Sequence, residues 1–388
     1  MGIQELEIRG FRSLRNVRWT PGRLNVLIGP NGSGKSNLLD ACTLLQEAAQ
    51  GTLAQGIMRR GGIAPLLWDG KEQRITWNLT VEQKEKPALG YLLETRQLGT
   101  TSSYSIELER LTEGNTAHID RTAGTAKISD PDHGRVAYPD SISDSQTLLS
   151  LLAGPFGSPT ARTFQRMVES WGIYHDLRVD SESSIRQAPV TRFEKRVAPD
   201  GQNLVAVLHT LYTGDRGFKR SVDAAMYAAF GADYEGLAIA PAADQRVQLR
   251  VNWRSLKTPQ SAANLSDGTL RFLLLVAILA NPDPGDLIAI DEPDTGLHPG
   301  MLPLVAELAS EAARRTQVIF TTHSPLFLDA FREEPPTTTV AQWVDGETRL
   351  GVVDDEELKR WLAVYSLGDV FRSGELDDML SLAKEAIG

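Results

Sequence analysis

Apolar residues near the start of the chain predict a strand, a loop and a helix. Ile3 to Ile8 alternates apolar and polar positions, and Leu24 to Ile28 is a short apolar run, so both segments predict strands. A glycine-rich turn spans Gly29 to Gly34, and Ser36 to Ala49 then carries apolar residues at helical spacing. The N-terminal region therefore predicts a strand that leads through a glycine loop into a helix.

The middle of the chain shows both periods, separated by turn-rich stretches. The stretch from Asp130 to Asp140 contains Asp, Pro, His and Gly and predicts a loop. Alternation predicts three strands, at Ile75 to Val81, Tyr104 to Leu111 and Val247 to Trp253. Helical periodicity predicts three helices, at Thr160 to Ser170, Asn203 to Tyr212 and Phe218 to Phe230.

The C-terminal third alternates helices and strands and indicates an α/β fold. Thr269 to Ala280 predicts a buried helix, and Leu302 to Arg314 predicts a second helix. Leu287 to Ile290 and Val318 to Phe320 predict buried strands. We interpret Pro335 to Thr339 as a linker because of its prolines.

The composition fits a folded chain with a sizeable core. The chain has 388 residues, of which 41% are hydrophobic and 23% charged, enough for one large domain or two ordinary ones. Its net charge of −10 argues against a generally basic nucleic-acid coat, so a DNA or RNA contact would need a local patch. The best basic cluster contains Arg186, Arg192, Lys195 and Arg196. A solvated face is the favoured interpretation, because charge runs usually lie at the surface.

Membrane and secretory segments are not predicted. Met1 to Arg12 carries charges throughout and lacks a signal-peptide core. The longest apolar run, Phe272 to Ala280, is too short to span a bilayer. The single cysteine, Cys42, excludes an intrachain disulfide and is expected to be buried. We expect a soluble cytoplasmic protein with no membrane partner.

The glycine-rich turn carries the most specific chemical signal. Gly29 to Ser36 fits the P-loop pattern, a Gly, four variable residues, then Gly-Lys-Ser or Gly-Lys-Thr. In such a loop the backbone N–H groups curl around phosphates, Lys35 reaches the β- and γ-phosphates, and Ser36 can ligate Mg²⁺. A plain strand–helix turn needs neither the lysine nor the serine. The predicted nucleotide-binding residues are Gly29, Pro30, Asn31, Gly32, Ser33, Gly34, Lys35 and Ser36.

Two adjacent carboxylates, Asp291 and Glu292, directly follow the predicted strand Leu287 to Ile290. Ligands bind at this edge of open α/β sheets. Asp291 would hold Mg²⁺, and Glu292 would activate the attacking water as general base. An ordinary Asp-Glu turn is the alternative, which the upstream P-loop makes less favourable. His323 follows the next strand and could contact a γ-phosphate, where the alternative is a structural histidine.

Leu265, Ser266, Asp267 and Gly268 precede the buried helix that leads to the carboxylates. A serine and a glycine at a helix N-terminus form a cap that suits an anion. In isolation this segment is an ordinary helix cap, but its position favours a phosphate contact.

Together these segments resemble the ABC ATPase superfamily in order and approximate spacing. The P-loop resembles Walker A, and Leu265 to Gly268 resembles the signature motif in an LSxG form. Asp291 to Pro293 is similar to Walker B, Thr295 to His298 to the D-loop, and His323 to the switch histidine.

The resemblance implies a fold, an activity and cofactors. The fold is an α/β P-loop NTPase of the ABC type, with a mixed sheet flanked by helices, an antiparallel β subdomain and an inserted α-rich lobe. The activity is hydrolysis of ATP with Mg²⁺, in which Lys35, Glu292 and His323 are catalytic and Ser36 and Asp291 hold the metal.

Within the superfamily the chain resembles the RecF, SMC and OLD-like branch. Ile8 to Leu14 resembles the N-terminal strand and turn of this branch, which adds Arg12 and Ser13 to the expected nucleotide contacts. Asp200 to Leu204 resembles a segment of predicted ATPases from anti-phage and abortive-infection systems. The resemblance covers about residues 1–60 and 200–330. It predicts an ATPase N-terminal half at 1–98, an inserted lobe at 99–244, an ATPase C-terminal half at 245–345 and a tail at 346–388.

Two departures concern how hydrolysis is coupled to movement. His298 stands where many members of the superfamily have Asp at the end of the D-loop. Gln55, Gln73 and Gln83 are all candidates for the Q-loop glutamine, and none is distinguished from the others.

The resemblance also implies that two copies share each site. Leu265, Ser266, Asp267 and Gly268 would contact the nucleotide held by the second copy, in a head-to-tail homodimer closed by ATP. Loss of the γ-phosphate would then loosen the dimer.

The expected function is ATP hydrolysis coupled to sensing or processing of DNA or RNA, or to control of a separate nuclease or toxin effector. DNA repair and anti-phage defence are the expected settings. An OLD-like fused nuclease is an alternative, although the segment after His323 is short for that domain. A transporter subunit fits poorly because Ser36 and Ser266 are far apart. An ATP-gated scaffold would not need Glu292.

Overall fold

The computed structural model describes residues 1–122, 124–130, 134–138, 143–152, 158–242, 244–331, 335–353, 368–369 and 371. The strands are β1 (Gly2–Phe11), β2 (Leu14–Trp19), β3 (Leu24–Ile28), β4 (Arg74–Glu82), β5 (Leu89–Gln97), β6 (Tyr104–Glu113), β7 (Thr116–Thr122), β8 (Thr125–Asp130), β9 (Gly134–Ala137), β10 (Gly172–Tyr174), β11 (Tyr234–Ala242), β12 (Arg246–Trp253), β13 (Gln260–Ser261), β14 (Leu287–Asp291), β15 (Gln317–Thr322), β16 (Thr337–Val344) and β17 (Glu347–Val352).

The helices follow the predicted periodicity closely. They are α1 (Lys35–Ala49), α2 (Leu53–Arg59), α3 (Leu148–Leu151), α4 (Pro159–Glu169), α5 (Leu204–Gly214), α6 (Arg216–Phe230), α7 (Asp267–Leu279), α8 (Leu302–Ala313) and α9 (Pro325–Leu328). Among the described residues, no helix is both long enough and apolar enough to cross a membrane.

The described residues divide into two compact units. One contains Met1–Trp171 and Thr337–Val353, and the other contains Gly172–Pro336. Residues 368, 369 and 371 also belong to the second unit.

An antiparallel sheet dominates the first unit, in the strand order β2-β1-β4-β5-β6-β7-β8-β9. Its strands are amphipathic, as β4 illustrates, where Ile75, Trp77 and Leu79 are buried. The opposite face carries cross-strand ion pairs, for example Arg74 with Glu94 at 3.0 Å. One face therefore supplies the core while the other face presents charges of both signs to water.

The first unit also contains the strand that leads into the glycine loop. β3 pairs in parallel with β16, and β16 pairs antiparallel with β17. The predicted linker at Pro335 to Thr339 is wrong, because Thr337 begins β16 and Thr338 and Thr339 are buried. β-branched threonines suit a strand, whereas the two prolines before them dominate the local sequence pattern.

The second unit is built on a parallel set of strands in the order β10-β14-β15. Helix α7 is buried along almost its whole length, from Leu270 to Leu279, as the apolar run predicts. A separate antiparallel set contains β11, β12 and β13. Since β14 and β15 are parallel, Asp291 pairs with Thr321 at the same edge of the set.

Strand pairing differs from the predicted domain boundaries. Residues 98–99 lie between the paired strands β5 and β6, so the predicted hairpins of the inserted lobe continue the N-terminal sheet. Residues 244–245 lie in the β11–β12 turn, and residues 345–346 lie in the β16–β17 turn. Turn-forming residues mark hairpins as well as domain boundaries, which explains these differences.

Two further predictions fall partly outside the described residues. In the loop predicted from Asp130 to Asp140, Gly134–Ala137 forms β9, which pairs with β8. Asp130 ends β8. Residues 131–133 and 139–140 of that loop, and residues 354–367, 370 and 372–388 of the predicted tail, lie outside the described residues.

Candidate nucleotide-binding site

The glycine loop of the first unit connects β3 to α1. Gly29 and Gly34 have φ angles of 154° and 96°, which L side chains rarely adopt. A Cβ at Gly29 would collide with the carbonyl of Ala341, and a Cβ at Gly34 would collide with the hydroxyl of Thr348. Nothing lies within 4 Å of a Cβ built on Gly32. The loop is therefore packed tightly at its two ends and has open space at its middle.

Lys35 begins helix α1, and its side chain is turned back onto the loop. Its Nζ atom donates hydrogen bonds to the carbonyl oxygens of Gly29 at 2.7 Å and Pro30 at 3.0 Å, and the residue is only 6% exposed. Ser36 is exposed in the first turn of the helix. The ammonium group thus lies against the backbone of the loop, while the next residue presents its hydroxyl at the surface.

Ser33 is a buried residue with an unsatisfied hydroxyl. It is 1% exposed, and its Oγ atom has no hydrogen-bond partner within the part of the chain that the structure describes. A buried unpaired polar group costs on the order of 1–3 kcal/mol. An anion bound in the loop would provide the missing partner, so the residues present fit a phosphate group.

The predicted contacts Arg12 and Ser13 lie behind the loop in the same unit. Ser13 is buried, and its Oγ atom accepts a hydrogen bond from Asn37 Nδ2 at 2.7 Å. The Arg12 guanidinium is half-buried and lies 2.9 Å from a carboxylate oxygen of Asp40. Ser13 therefore supports the loop and α1 rather than facing solvent, whereas Arg12 keeps an exposed edge.

Thr348 is a further support that the sequence did not indicate. Its Oγ1 atom lies 2.7 Å from Ser13 Oγ and 2.9 Å from the carbonyl oxygen of Ser33. Thr348 belongs to β17, far along the chain from the loop. No local pattern near residue 348 connects it to the P-loop, so only the fold reveals this contact.

The two predicted carboxylates lie at the C-terminal edge of β14 in the second unit. Asp291 ends the strand, and its Oδ1 atom accepts a hydrogen bond from Thr321 Oγ1. Glu292 follows with φ 46°, a left-handed conformation that costs about 1–3 kcal/mol for a non-glycine residue. The N–H group of Glu292 donates to the carbonyl of Thr321 at 3.1 Å. The turn therefore redirects the chain at the residue that is expected to act on water.

Glu292 and His323 form a pair. His323 Nδ1 lies 2.8 Å from Glu292 Oε1, and both side chains are partly exposed. Thr295 Oγ1 lies 3.4 Å from the other oxygen, Oε2, of the same carboxylate. The structure thus brings together two residues that the sequence predicted separately, with the carboxylate accessible to water.

Arg271 of helix α7 supports the carboxylate turn from behind. It donates to the carbonyl oxygens of Glu292 and Leu177, each at 3.2 Å. Burial lowers the pKa of its guanidinium, while Asp176 and Asp294 act in the opposite direction. This role could not be predicted from the sequence, because Arg271 is surrounded by apolar residues in its helix and belongs to no motif.

The predicted signature segment begins helix α7. Ser266 is the N-cap, and its Oγ atom accepts a hydrogen bond from the N–H group of Thr269 at 3.1 Å. Leu265 is buried, Gly268 is half-buried, and Ser266 and Asp267 are exposed. The polar end of this segment is therefore open to a second molecule.

The structure changes the interpretation of the basic cluster. Arg186 is neither a nucleic-acid contact nor a solvated residue, since its side chain is 9% exposed and contacts Asp267. Arg196 pairs with Asp283 at 2.8 Å. Only Arg192 and Lys195 are exposed cations of this cluster, and they flank Phe193, which is 80% exposed.

Metal ligands do not form a preassembled cluster. Among the residues the structure describes, no group of three or more His, Cys, Asp or Glu side chains could hold a metal ion. A P-loop site does not require one, because Mg²⁺ there is held by few protein ligands and by phosphate oxygens. Ser36, which is exposed in the first turn of α1, is one oxygen ligand of the kind that such a site uses.

Comparison with known families identifies a matching model. Residues 24–329 match the family described as "AAA domain, putative AbiEii toxin, Type IV TA system". A curated relative is the OLD nuclease of Thermus scotoductus, which is 22% identical over 342 residues. That alignment covers 86% of this chain but 61% of the relative, so this chain spans less than two thirds of that protein.

Solved structures of SMC head domains have a similar fold. The Smc head bound to the C-terminal winged-helix domain of ScpA has a TM-score of 0.57 and 16% identity, covering 93% of this chain and all of that one. The Smc head derived from Pyrococcus furiosus has a TM-score of 0.50 and 14% identity, covering 93% of this chain and 98% of that one. These structural similarities confirm the predicted fold class, a P-loop NTPase of the ABC type. Together with the family model and the OLD nuclease relative, they confirm the resemblance to the RecF, SMC and OLD-like branch.

Proposed function

We propose that this chain, which belongs to the AAA-domain ATPase family whose model matches residues 24–329, binds ATP with Mg²⁺ and hydrolyses it to ADP and phosphate. The observation that carries the proposal is the pair of Glu292 and His323, whose Oε1 and Nδ1 atoms are 2.8 Å apart at the ends of two parallel strands. A protein that only binds nucleotide has no need for a carboxylate held in this way.

The glycine loop supplies the binding step. Lys35 Nζ donates to two neutral carbonyls, and phosphate oxygens would compete well for it because a full negative charge attracts the ammonium more strongly than a carbonyl dipole does. Ser33 Oγ and the open side of Gly32 lie in the same loop. Mg²⁺, held by Ser36 and Asp291, would neutralise charge on the phosphate oxygens.

Glu292 supplies the chemical step. A water oxygen attacks the γ-phosphorus, the bond from that phosphorus to the bridging oxygen of ADP breaks, and Glu292 accepts the proton that the water loses. His323 and Thr295 hold the two carboxylate oxygens, so the base keeps one orientation. The proton then leaves with the products and restores the carboxylate.

Substitution of the base tests this role. In Glu292→Gln the amide cannot accept the proton, so we expect turnover to fall by about 10²–10⁴-fold while ATP affinity stays within about twofold. Glu311→Gln is the matched control, because Glu311 is an exposed acid of α8 that pairs with Arg314. Wild-type turnover in Glu292→Gln, or unchanged ATP affinity in Lys35→Ala, would contradict the proposal.

The second part of the proposal is a head-to-tail homodimer closed by ATP. Its support is the exposure of Ser266 and Asp267 at the N-terminus of α7, where backbone N–H groups and the helix dipole favour an anion. ATP should convert Glu292→Gln from monomer to dimer in light scattering. Adding Ser266→Arg should prevent this while each chain still binds ATP. A Glu292→Gln protein that stays monomeric at saturating ATP would exclude the shared site.

The third part concerns what ATP hydrolysis controls. We propose that it is coupled to a nucleic acid or to a separate effector protein, such as a nuclease or toxin, in DNA repair or anti-phage defence. The support for direct nucleic-acid contact is Phe193 between Arg192 and Lys195, with Lys195 Nζ 5.7 Å from the ring centre, since aromatic and cationic groups together bind single strands. Arg192→Glu with Lys195→Glu should abolish binding of a labelled single strand. Unchanged binding would favour the effector instead.

A further inference from the structure

Arg186 lies behind the signature segment and contacts three separate parts of the second unit. Its Nη1 atom donates to the carbonyl oxygen of Leu265 at 2.7 Å and lies 3.3 Å from those of Ala262 and Ala263. Its Nε atom donates to the carbonyls of Val179 and Asp180 at 3.0 and 2.9 Å. Its Nη2 atom donates to Asp267 Oδ1.

These contacts require an arginine. A guanidinium offers five N–H donors in a fixed plane, whereas a lysine offers three donors at one point. The carbonyls of Ala262, Ala263 and Leu265 converge where a 3₁₀ turn, Ala262–Asn264, meets the N-cap Ser266. Without a cation between them, these aligned oxygens would repel one another. Arg186 therefore sets the direction in which Ser266 and Asp267 emerge.

Arg186 is itself held by the segment from Asp200 to Leu204 that the sequence analysis singled out. Arg186 ends a 3₁₀ turn that begins at Ser184. Gln202 Oε1 accepts a hydrogen bond from the N–H group of Ser184 at 2.7 Å. Gln202 Nε2 donates to the carbonyl oxygen of Arg178 at 3.0 Å. This motif thus fixes the turn that carries the arginine.

We propose that Arg186 is a positioning residue for the signature segment, and that it orients Ser266 toward the nucleotide of the second copy. This inference rests on the proposed ATP-closed dimer. It predicts that the loss of Arg186 damages the site on the partner and not the site on its own chain. The alternative is an effect within the same chain, since Arg271 connects Leu177, close to the same segment, with Glu292.

Mixed dimers separate these two possibilities. We expect Arg186→Ala to bind ATP with an affinity within about twofold of wild type but to lose about tenfold or more in turnover. Lys35→Ala cannot bind ATP but keeps an intact signature segment. In a mixed dimer, the nucleotide of the Arg186→Ala chain meets the intact segment of the Lys35→Ala chain. An equal mixture should recover about a quarter of wild-type turnover, because half of the dimers are mixed and each has one complete site.

The controls define the outcome. Capture of untagged Lys35→Ala by affinity-tagged Arg186→Ala in the presence of ATP verifies that the two chains form mixed dimers. Arg315→Ala is the matched control, because Arg315 donates to the carbonyls of Asn281 and Leu279 at the other end of α7, and it should keep wild-type turnover. If mixed dimers are captured but the mixture of Arg186→Ala with Lys35→Ala stays inactive, Arg186 acts within its own chain and the inference is overturned.

A readout on the ATP-free protein separates this inference from the proposed function. Hydrogen exchange of residues 262–268 should rise in Arg186→Ala and not in Arg315→Ala, whether or not the protein hydrolyses ATP. Arg186→Lys keeps the charge with fewer donors, so it should exchange at an intermediate rate and regain part of the turnover. Unchanged exchange in both Arg186 variants would overturn the inference. Increased exchange in Arg186→Ala, together with a wild type that lacks ATPase activity, would overturn only the proposed function.

Discussion

The hydroxyl of Thr348 allows the support of the glycine loop to be tested separately from the stability of the fold. Thr348→Val keeps the shape of the side chain and removes Oγ1, which lies 2.9 Å from the carbonyl oxygen of Ser33 and 2.7 Å from Ser13 Oγ. Ser13 keeps its hydrogen bond from Asn37. The Ser33 carbonyl loses a buried partner, so the substitution should cost about 1–3 kcal/mol.

That cost should fall on the loop. If all of it opposes the loop conformation that binds phosphate, ATP affinity should fall by about 5–150-fold, because 1.4 kcal/mol is a factor of ten. Isothermal titration calorimetry with ATP and Mg²⁺ measures the affinity. Unfolding in guanidinium chloride measures the free energy of unfolding of the same variant.

Thr339→Val is the matched control, because Thr339 is a buried threonine on the neighbouring strand β16. Its Oγ1 atom accepts a hydrogen bond from Trp19 Nε1 at 3.0 Å, so this hydroxyl serves a tryptophan of β2 instead of the glycine loop. It should lower stability by a similar amount and leave ATP affinity within about twofold. If Thr348→Val loses stability like Thr339→Val yet binds ATP as wild type does, the argument for loop support is refuted.

Three other predictions follow from individual contacts. His323→Ala should lower kcat by about 10²-fold or more and leave ATP affinity unchanged, because Glu292 loses the partner that orients it. Steady-state kinetics measure kcat and a binding assay measures the affinity, and equal losses of kcat and of ATP affinity would contradict the prediction. Burial raises the pKa of Glu109, so between the ordinary carboxyl pKa and this raised pKa the folded state binds more protons than the unfolded state. The free energy of unfolding should therefore fall as pH rises from the ordinary carboxyl pKa to the raised one. Glu109→Gln should remove this slope in urea unfolding measured across pH. Burial raises the pKa of Cys42 to about 12, so a thiol reagent should modify it only after unfolding, and fast modification of the native protein would disagree.

The local parts of the site could be predicted from the sequence. The P-loop and the carboxylate turn each occupy a few consecutive residues next to an apolar strand. Both can therefore be recognised without knowing how the strands pair. The pair of Glu292 and His323 was predicted only as two separate strand ends, because their distance depends on β14 and β15 being neighbours. A parallel pair places both residues at one edge, but the α/β pattern alone does not say which strands are neighbours.

The supports of the site could not be predicted. Thr348 contacts Ser33 from a strand more than three hundred residues later in the chain, and Arg271 reaches the Glu292 carbonyl from inside an apolar helix. Neither residue has a local pattern, because each serves a backbone group whose position is set by the fold. Strand β16 was missed for a different reason, since Pro335 and Pro336 indicate an irregular segment while the threonines that follow favour a strand.

The basic cluster shows how such a support changes an electrostatic argument. In the sequence the cluster counts as four cations, which are Arg186, Arg192, Lys195 and Arg196. Four phosphate contacts on a single strand would give a slope of about −2.8 when the logarithm of the binding constant is plotted against the logarithm of the salt concentration. Arg186 is committed to backbone carbonyls and Asp267, and Arg196 pairs with Asp283. Two exposed cations remain, which lowers the expected slope to about −1.4. A measured slope near the larger value would therefore require other cations of the chain to contact the strand, because this cluster alone cannot supply them.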